Sequence, residues 1–260
     1  MRHSIAKIIY ILLTFLCIAS CKKDAKSNTV DDLKAENRKV IGTSAEDLLS
    51  DDIYPKLNVE LVYFGLYKPS EESITNLRTF LIERLNKPTS INIIETSIAE
   101  PQGAPFNTEE IKAIEDVNRT EYTDGDTISI YIFFSNGKSS NDSNTTVTLG
   151  SAYFNTSIVI YQKTILDIVN TDPDISLVNL ETTTIHHELG HLLGLVNLQD
   201  DDIHMDHEDL GHRKHCIIED CLMYFESNTR SAVMQRFSNR SNISQLDPLC
   251  IADLQTKGGL

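Results

Sequence analysis

Residues 186–194 read HHELGHLLG, and no other stretch constrains the fold as tightly. His187 and His191 stand four residues apart. On an α-helix that spacing projects both side chains from one face, so two imidazoles can grip one metal ion. Glu188 lies one residue along, beside the open metal position, where it can take a proton from a bound water. This is the arrangement of a zinc-dependent hydrolase. Gly194 follows three residues later and can adopt positive φ, which ends the helix and turns the chain back toward the metal.

The region before this motif alternates strand and helix signals. Leu57–Tyr67, Ile91–Ile98 and Thr127–Phe134 carry strand patterns. Between them, Ser70–Leu85 shows helical spacing at Ile74, Leu77, Phe80, Leu81 and Leu85, and Phe106–Val117 opens with Thr108, Glu109 and Glu110. A polar loop after Phe134 leads to one or two strands within Thr146–Tyr161, for which a core strand and an edge that pairs with an extended substrate are equal readings. The metal helix is expected over Leu177–Val196. A loop-rich C-terminal part closes with a short helix near Cys250–Leu254. The order β-α-β-α-β-β-α predicts an α+β fold.

Residues 1–20 read as an export signal. Arg2 and Lys7 form a positive start and Ile8–Ile18 an apolar run too short to span a bilayer comfortably. Ile18-Ala19-Ser20-Cys21 then resembles the lipobox of bacterial lipoproteins. That resemblance implies cleavage before Cys21, its acylation, and a protein exported from the cytoplasm and lipid-anchored in the bacterial cell envelope. Residues 21–43 are polar and read as the acylated cysteine and a flexible tether, with the catalytic domain over 44–260. Ser44 is a candidate cap for a first short helix before Leu48 and Leu49. The chain carries a net charge of −15, and loss of Arg2 and Lys7 makes it −17. Such acidity repels nucleic acid and anionic head groups, so the expected partners are a peptide or protein substrate and a membrane reached through the lipid.

From His187 to Gly194 the chain resembles the long zinc motif H-E-x-x-H-x-x-G-x-x-H of the metzincin metallopeptidases. The third histidine of that motif is replaced by Asn197, whose amide is a poor zinc ligand. Seven of the eight histidines fall between His186 and His215. Further on, His215-Cys216-x4-Cys221-x-Met223 is similar to the archaemetzincin segment in which the third zinc histidine precedes C-x4-C-x-M. The resemblance implies a zincin with a twisted mixed sheet, His215 as third ligand and Met223 as the Met-turn beneath the metal. His212 and His207, in the intervening loop, remain alternatives, and His204 lies there too. His186 points about 100° away from His187 and reads as a solvent-facing or outer neighbour.

Archaemetzincins hold a second zinc on four cysteines, whereas only Cys216, Cys221 and Cys250 follow the tether here. A disulfide with one free thiol is favoured over a second metal in an oxidising compartment. The acidic residues Asp200, Asp201, Asp202, Asp206, Glu208 and Asp209 lack a recognised calcium spacing and read as a solvated loop rather than a calcium site. The expected activity is that of a zinc metalloendopeptidase with Zn2+ and Glu188 as general base. The rival reading is a surface binding lipoprotein whose zinc is structural, and a weaker one a hydrolase of non-peptide amides.

Overall fold

A computed structural model of the protein describes residues 30–225, 228–238 and 242–260. The export signal and Cys21 lie outside the described residues. No helix among those described is long and apolar enough to cross a membrane.

Five strands form one mixed sheet: β1 (Lys56–Tyr63), β2 (Ser90–Ser97), β3 (Thr127–Phe134), β4 (Gly150–Phe154) and β5 (Ser157–Ile160). Their spatial order is β2-β1-β3-β5-β4. The first four strands in that order are parallel, and β4 alone runs antiparallel, at the edge. A central parallel strand is covered on both faces, so its sequence is mainly apolar rather than alternating. TISIYIFF in β3 shows this: everything after Thr127 is buried.

Helix α1 (Val30–Glu36) and α2 (Ala45–Leu49) precede the sheet, and α3 (Glu71–Arg84) and α4 (Thr108–Asn118) connect its first three strands. Helix α3 starts where Ser70 Oγ accepts from Ser73 N–H. Helix α4 starts at a reciprocal pair in which Asn107 accepts from Glu110 N–H and the Glu110 carboxylate accepts from Asn107 N–H. Its cap is therefore Asn107, one residue before the threonine that the sequence suggested. At α2, Ser44 occupies the cap position without capping, because its hydroxyl accepts from Asn155 Nδ2 instead.

The polar stretch before Ser44 is less of a spacer than its composition implies. Asn37 is fully buried; its Nδ2 donates to Thr123 and Thr156, and its Oδ1 accepts from Thr123 N–H. Asn155 further ties Glu36 and Lys39 to the sheet. The packed domain thus begins before residue 44. Polar side chains that find buried partners hold a segment as firmly as apolar ones, and composition does not reveal the partners.

Three helices were not apparent in the sequence, and the first, α1, lies in the stretch read as a tether. Helix α5 (Gln162–Thr171) follows β5 with no turn residue between them, its cap position being Tyr161 without a capping side chain. Helix α7 (Arg230–Ser238) buries only Val233 and Phe237. The metal-motif helix α6 (Leu177–Leu192) packs against α3, α5, β4 and β5, and α8 (Pro248–Thr256) closes the chain. Asp247 caps α8, with Pro248 at its first position.

Candidate metal centre

Helix α6 begins with Ser176 accepting from Asn179 N–H and is buried along nearly its whole second half. It ends at Gly194, where φ is 71° and Leu195 N–H bonds back to Gly190 O at 3.1 Å. That six-residue return is the glycine-ended helix stop expected of this position. Beyond it the chain does not pass directly back to the histidines. Val196 and Asn197 both take positive φ (58° and 57°). Asn197 is buried, with its N–H on Asp202 and its carbonyl accepting from Lys214 Nζ.

His187, His191 and His215 come together. Their ring centroids lie 4.9, 5.3 and 5.2 Å apart, and one nitrogen from each falls within 4.8 Å of the others. His187 Nδ1 lies 2.9 Å from Leu222 O, and His215 Nδ1 lies 3.1 Å from Arg213 O. A carbonyl only accepts, so both Nδ1 atoms carry the proton and both Nε2 atoms keep a lone pair. Burial holds His187 down to about 4 and lowers His191 and His215 as well, each further depressed by a neighbouring histidine. Three neutral imidazoles that repel protonation by one another are a donor set suited to a divalent cation of borderline softness. His191 Nδ1, buried and without a hydrogen-bond partner among the described residues, belongs to the same group.

Glu188 faces the other way across this opening. Its Oε2 accepts from Ala152 N–H at 2.9 Å. Burial pushes its carboxyl up to about 8, and the Ala152 N–H offsets part of that rise. Met223, fully buried, packs against the helix between the two motif histidines: a Cβ on Gly190 would fall 2.3 Å from Met223 Sδ. A cavity of about 270 Å3 opens beside Glu188 and His187, walled by Val147, Leu149, Leu222, Val233 and Phe237.

The other histidines lie elsewhere. His186 is buried and stacked on Phe80 at 4.3 Å, because its side of α6 meets α3 rather than solvent. His204 and His207 both pair with Asp253, at 3.1 and 3.0 Å. His212 pairs with Asp209 and stacks on Phe225. Neither His207 nor His212 joins the three-histidine group. His207 instead reaches a second cluster, with donor atoms of His207, Cys216, Asp247 and Cys250 all within 4.8 Å of one another. His207 Nδ1 lies 3.5 Å from Cys216 Sγ and 3.9 Å from Cys250 Sγ, and Cys221 Sγ is 3.7 Å from Cys250 Sγ. All three cysteines are buried free thiols. The sequence reading missed Asp247 as a member; its place three residues before Cys250 was the available signal.

The acidic loop is used internally. Asp201 and Asp202 pair with Lys257, Glu208 accepts from Lys214 N–H, and Asp209 takes His212.

Residues 136–209 match the family described as zincin-like metallopeptidase. No curated protein matches the chain. Among solved structures, the crystal structure of archaemetzincin from Methanopyrus kandleri at 1.5 Å resolution is similar, with a TM-score of 0.50 and 13% sequence identity. The similarity covers 78% of this chain and 96% of that one. The chain therefore has the zincin fold seen in archaemetzincin, and the stretch that matches the zincin-like metallopeptidase family runs through its metal-motif helix.

Proposed function

We propose that the protein is a zinc-dependent endopeptidase, held in a bacterial cell envelope by a lipid on Cys21. The observation that carries the catalytic reading is the convergence of His187, His191 and His215 beside the carboxylate of Glu188. The three imidazoles would hold the zinc of the matched family. When bound, zinc supplies Lewis acidity, polarising a scissile carbonyl and acidifying water.

Glu188 does the proton work. Ala152 N–H occupies Oε2, so Oε1 is the atom left to accept the proton of the attacking water. As the water oxygen bonds to the carbonyl carbon and the C–N bond breaks, that proton passes to the leaving amine. Burial favours the protonated carboxyl, the form from which the proton is returned to the leaving amine. The apolar cavity beside it offers room for a substrate side chain, and the open edge of β4 for an extended backbone.

The cluster of His207, Cys216, Asp247 and Cys250, joined by Cys221, supports a second, structural ion in preference to a disulfide. His207 Nε2 faces Asp253, which turns the Nδ1 lone pair toward the sulfurs.

The test is cleavage of a mixed peptide library by the purified protein, with a chelator, and after zinc is restored. Hydrolysis that stops and returns, and that Glu188→Gln abolishes with zinc still bound, is the expected result. Stoichiometric zinc with no cleavage under any condition favours the surface binding lipoprotein instead.

A further inference from the structure

The edge strand β4 touches Glu188 at two points, both through its backbone. Ala152 N–H donates to Glu188 Oε2 at 2.9 Å. Two residues earlier, on the same face of the strand, a Cβ on Gly150 would lie 2.7 Å from Glu188 Cγ, 2.8 Å from Oε1 and 3.1 Å from Cδ. The carboxylate thus lies flat over the bare Cα of Gly150, with one oxygen pinned and the other beside the cavity that both residues line. The Gly150 φ is not positive, so no backbone conformation demands glycine there. Space for the carboxylate does.

We propose that Gly150 is a positioning residue of the reaction: its missing side chain forms the slot that sets where Glu188 Oε1 meets water, while Ala152 N–H fixes the carboxylate's rotation. The inference rests on Glu188 being the general base. Any side chain at 150 forces the carboxylate to swing, since contacts below 3.0 Å are not tolerated and Glu188 is the movable partner. A misplacement of about 1 Å at a reacting group costs on the order of 100-fold in rate.

The experiment compares wild type, Gly150→Ala, Glu188→Asp and the double variant, each with zinc content and melting temperature measured. Gly150→Ala is expected to lower kcat by about 30- to 100-fold with KM and bound zinc unchanged. In the Glu188→Asp background, where the carboxylate is one methylene shorter, the same substitution is expected to change kcat by less than about threefold, because the slot is already vacated. A structural role for Gly150 would instead give the same loss in both backgrounds, and that result overturns the proposal. The double variant also decides the matter should Gly150→Ala alone fold poorly.

A readout independent of activity is amide exchange at Ala152 in the metal-free protein. Its N–H is expected to be protected in wild type and to exchange at least about tenfold faster in Gly150→Ala, as the carboxylate leaves. Unchanged protection would overturn the slot. A wild type that cleaves no peptide would sink the peptidase reading itself, whereas an active wild type with a fully active Gly150→Ala sinks only this inference.

Discussion

His207 Nε2 lies 3.0 Å from Asp253 Oδ2, with both side chains almost completely buried. Asp253 thereby fixes which nitrogen of His207 faces Cys216 and Cys250. Loss of an outer carboxylate of this kind costs about 10- to 100-fold in metal affinity. Asp253→Asn is expected to lower the metal content from two ions to one under mild chelation, leaving the three-histidine site loaded. Metal analysis that finds one ion in wild type would refute the second site.

At the first site, His215→Ala is expected to weaken zinc binding by more than about 100-fold, beyond an outer-contact effect. His204→Ala and His212→Ala are expected to keep the catalytic zinc, since their side chains pair with Asp253 and Asp209. Zinc retained by His215→Ala but lost from His212→Ala would move the third ligand into the loop.

Met223 and Gly190 fit so closely that a methyl group has no place between them. Gly190→Ala is expected to destabilise the protein by about 1–3 kcal/mol through overpacking, read by urea unfolding. Met223→Leu in the same chain, which moves bulk away from the sulfur position, is expected to recover part of the loss. An unchanged midpoint in Gly190→Ala would show that the helix can shift away freely.

Asn37 is a packed anchor ahead of residue 44. Asn37→Ala strands buried partners on Thr123 and Thr156 and is expected to cost about 2–3 kcal/mol. A silent Asn37→Ala would show that residues 37–43 are not held by these contacts.

Lys87 gives the stability a pH signature. Its buried ammonium donates to the carbonyls of Asp47 (2.7 Å), Tyr54 (2.6 Å) and Ser50, and burial lowers its pKa from 10.5 to about 8. Between those values the unfolded chain binds more protons than the folded one, so stability rises with pH. The charged lysine's cost, fully present below pH 8, is relieved toward pH 10.5. Relative to Lys87→Met, wild type is expected to gain up to about 3 kcal/mol between pH 7 and 10.5. Parallel pH profiles for the two proteins would show the ammonium staying charged on its carbonyls.

The sequence was informative wherever chemistry repeats at short range. The four-residue spacing in His187 and His191, the β-prone run 127–134, and the apolar period of 74–85 each appear as an element with nearly the expected bounds. It was least informative where one element meets another. Helix α5 lacks a start signal, Ser44 spends its hydroxyl on Asn155 rather than its own helix, and His186 turns onto Phe80 because α3 lies over that face.

His187, Glu188 and His191 owe their relation to helix geometry alone, which sequence by itself determines, because 3.6 residues per turn leaves no freedom once the helix forms. His215 stands 18 residues beyond Asn197, and spacing over so long a loop does not say which of several histidines returns to the metal. Only tertiary structure brings His215 beside His187 and His191, while His204 and His207 pair with the distant Asp253 and His212 with its near neighbour Asp209. The same holds for Gly150 against Glu188, a contact across 38 residues whose sole sequence trace is a glycine in a strand.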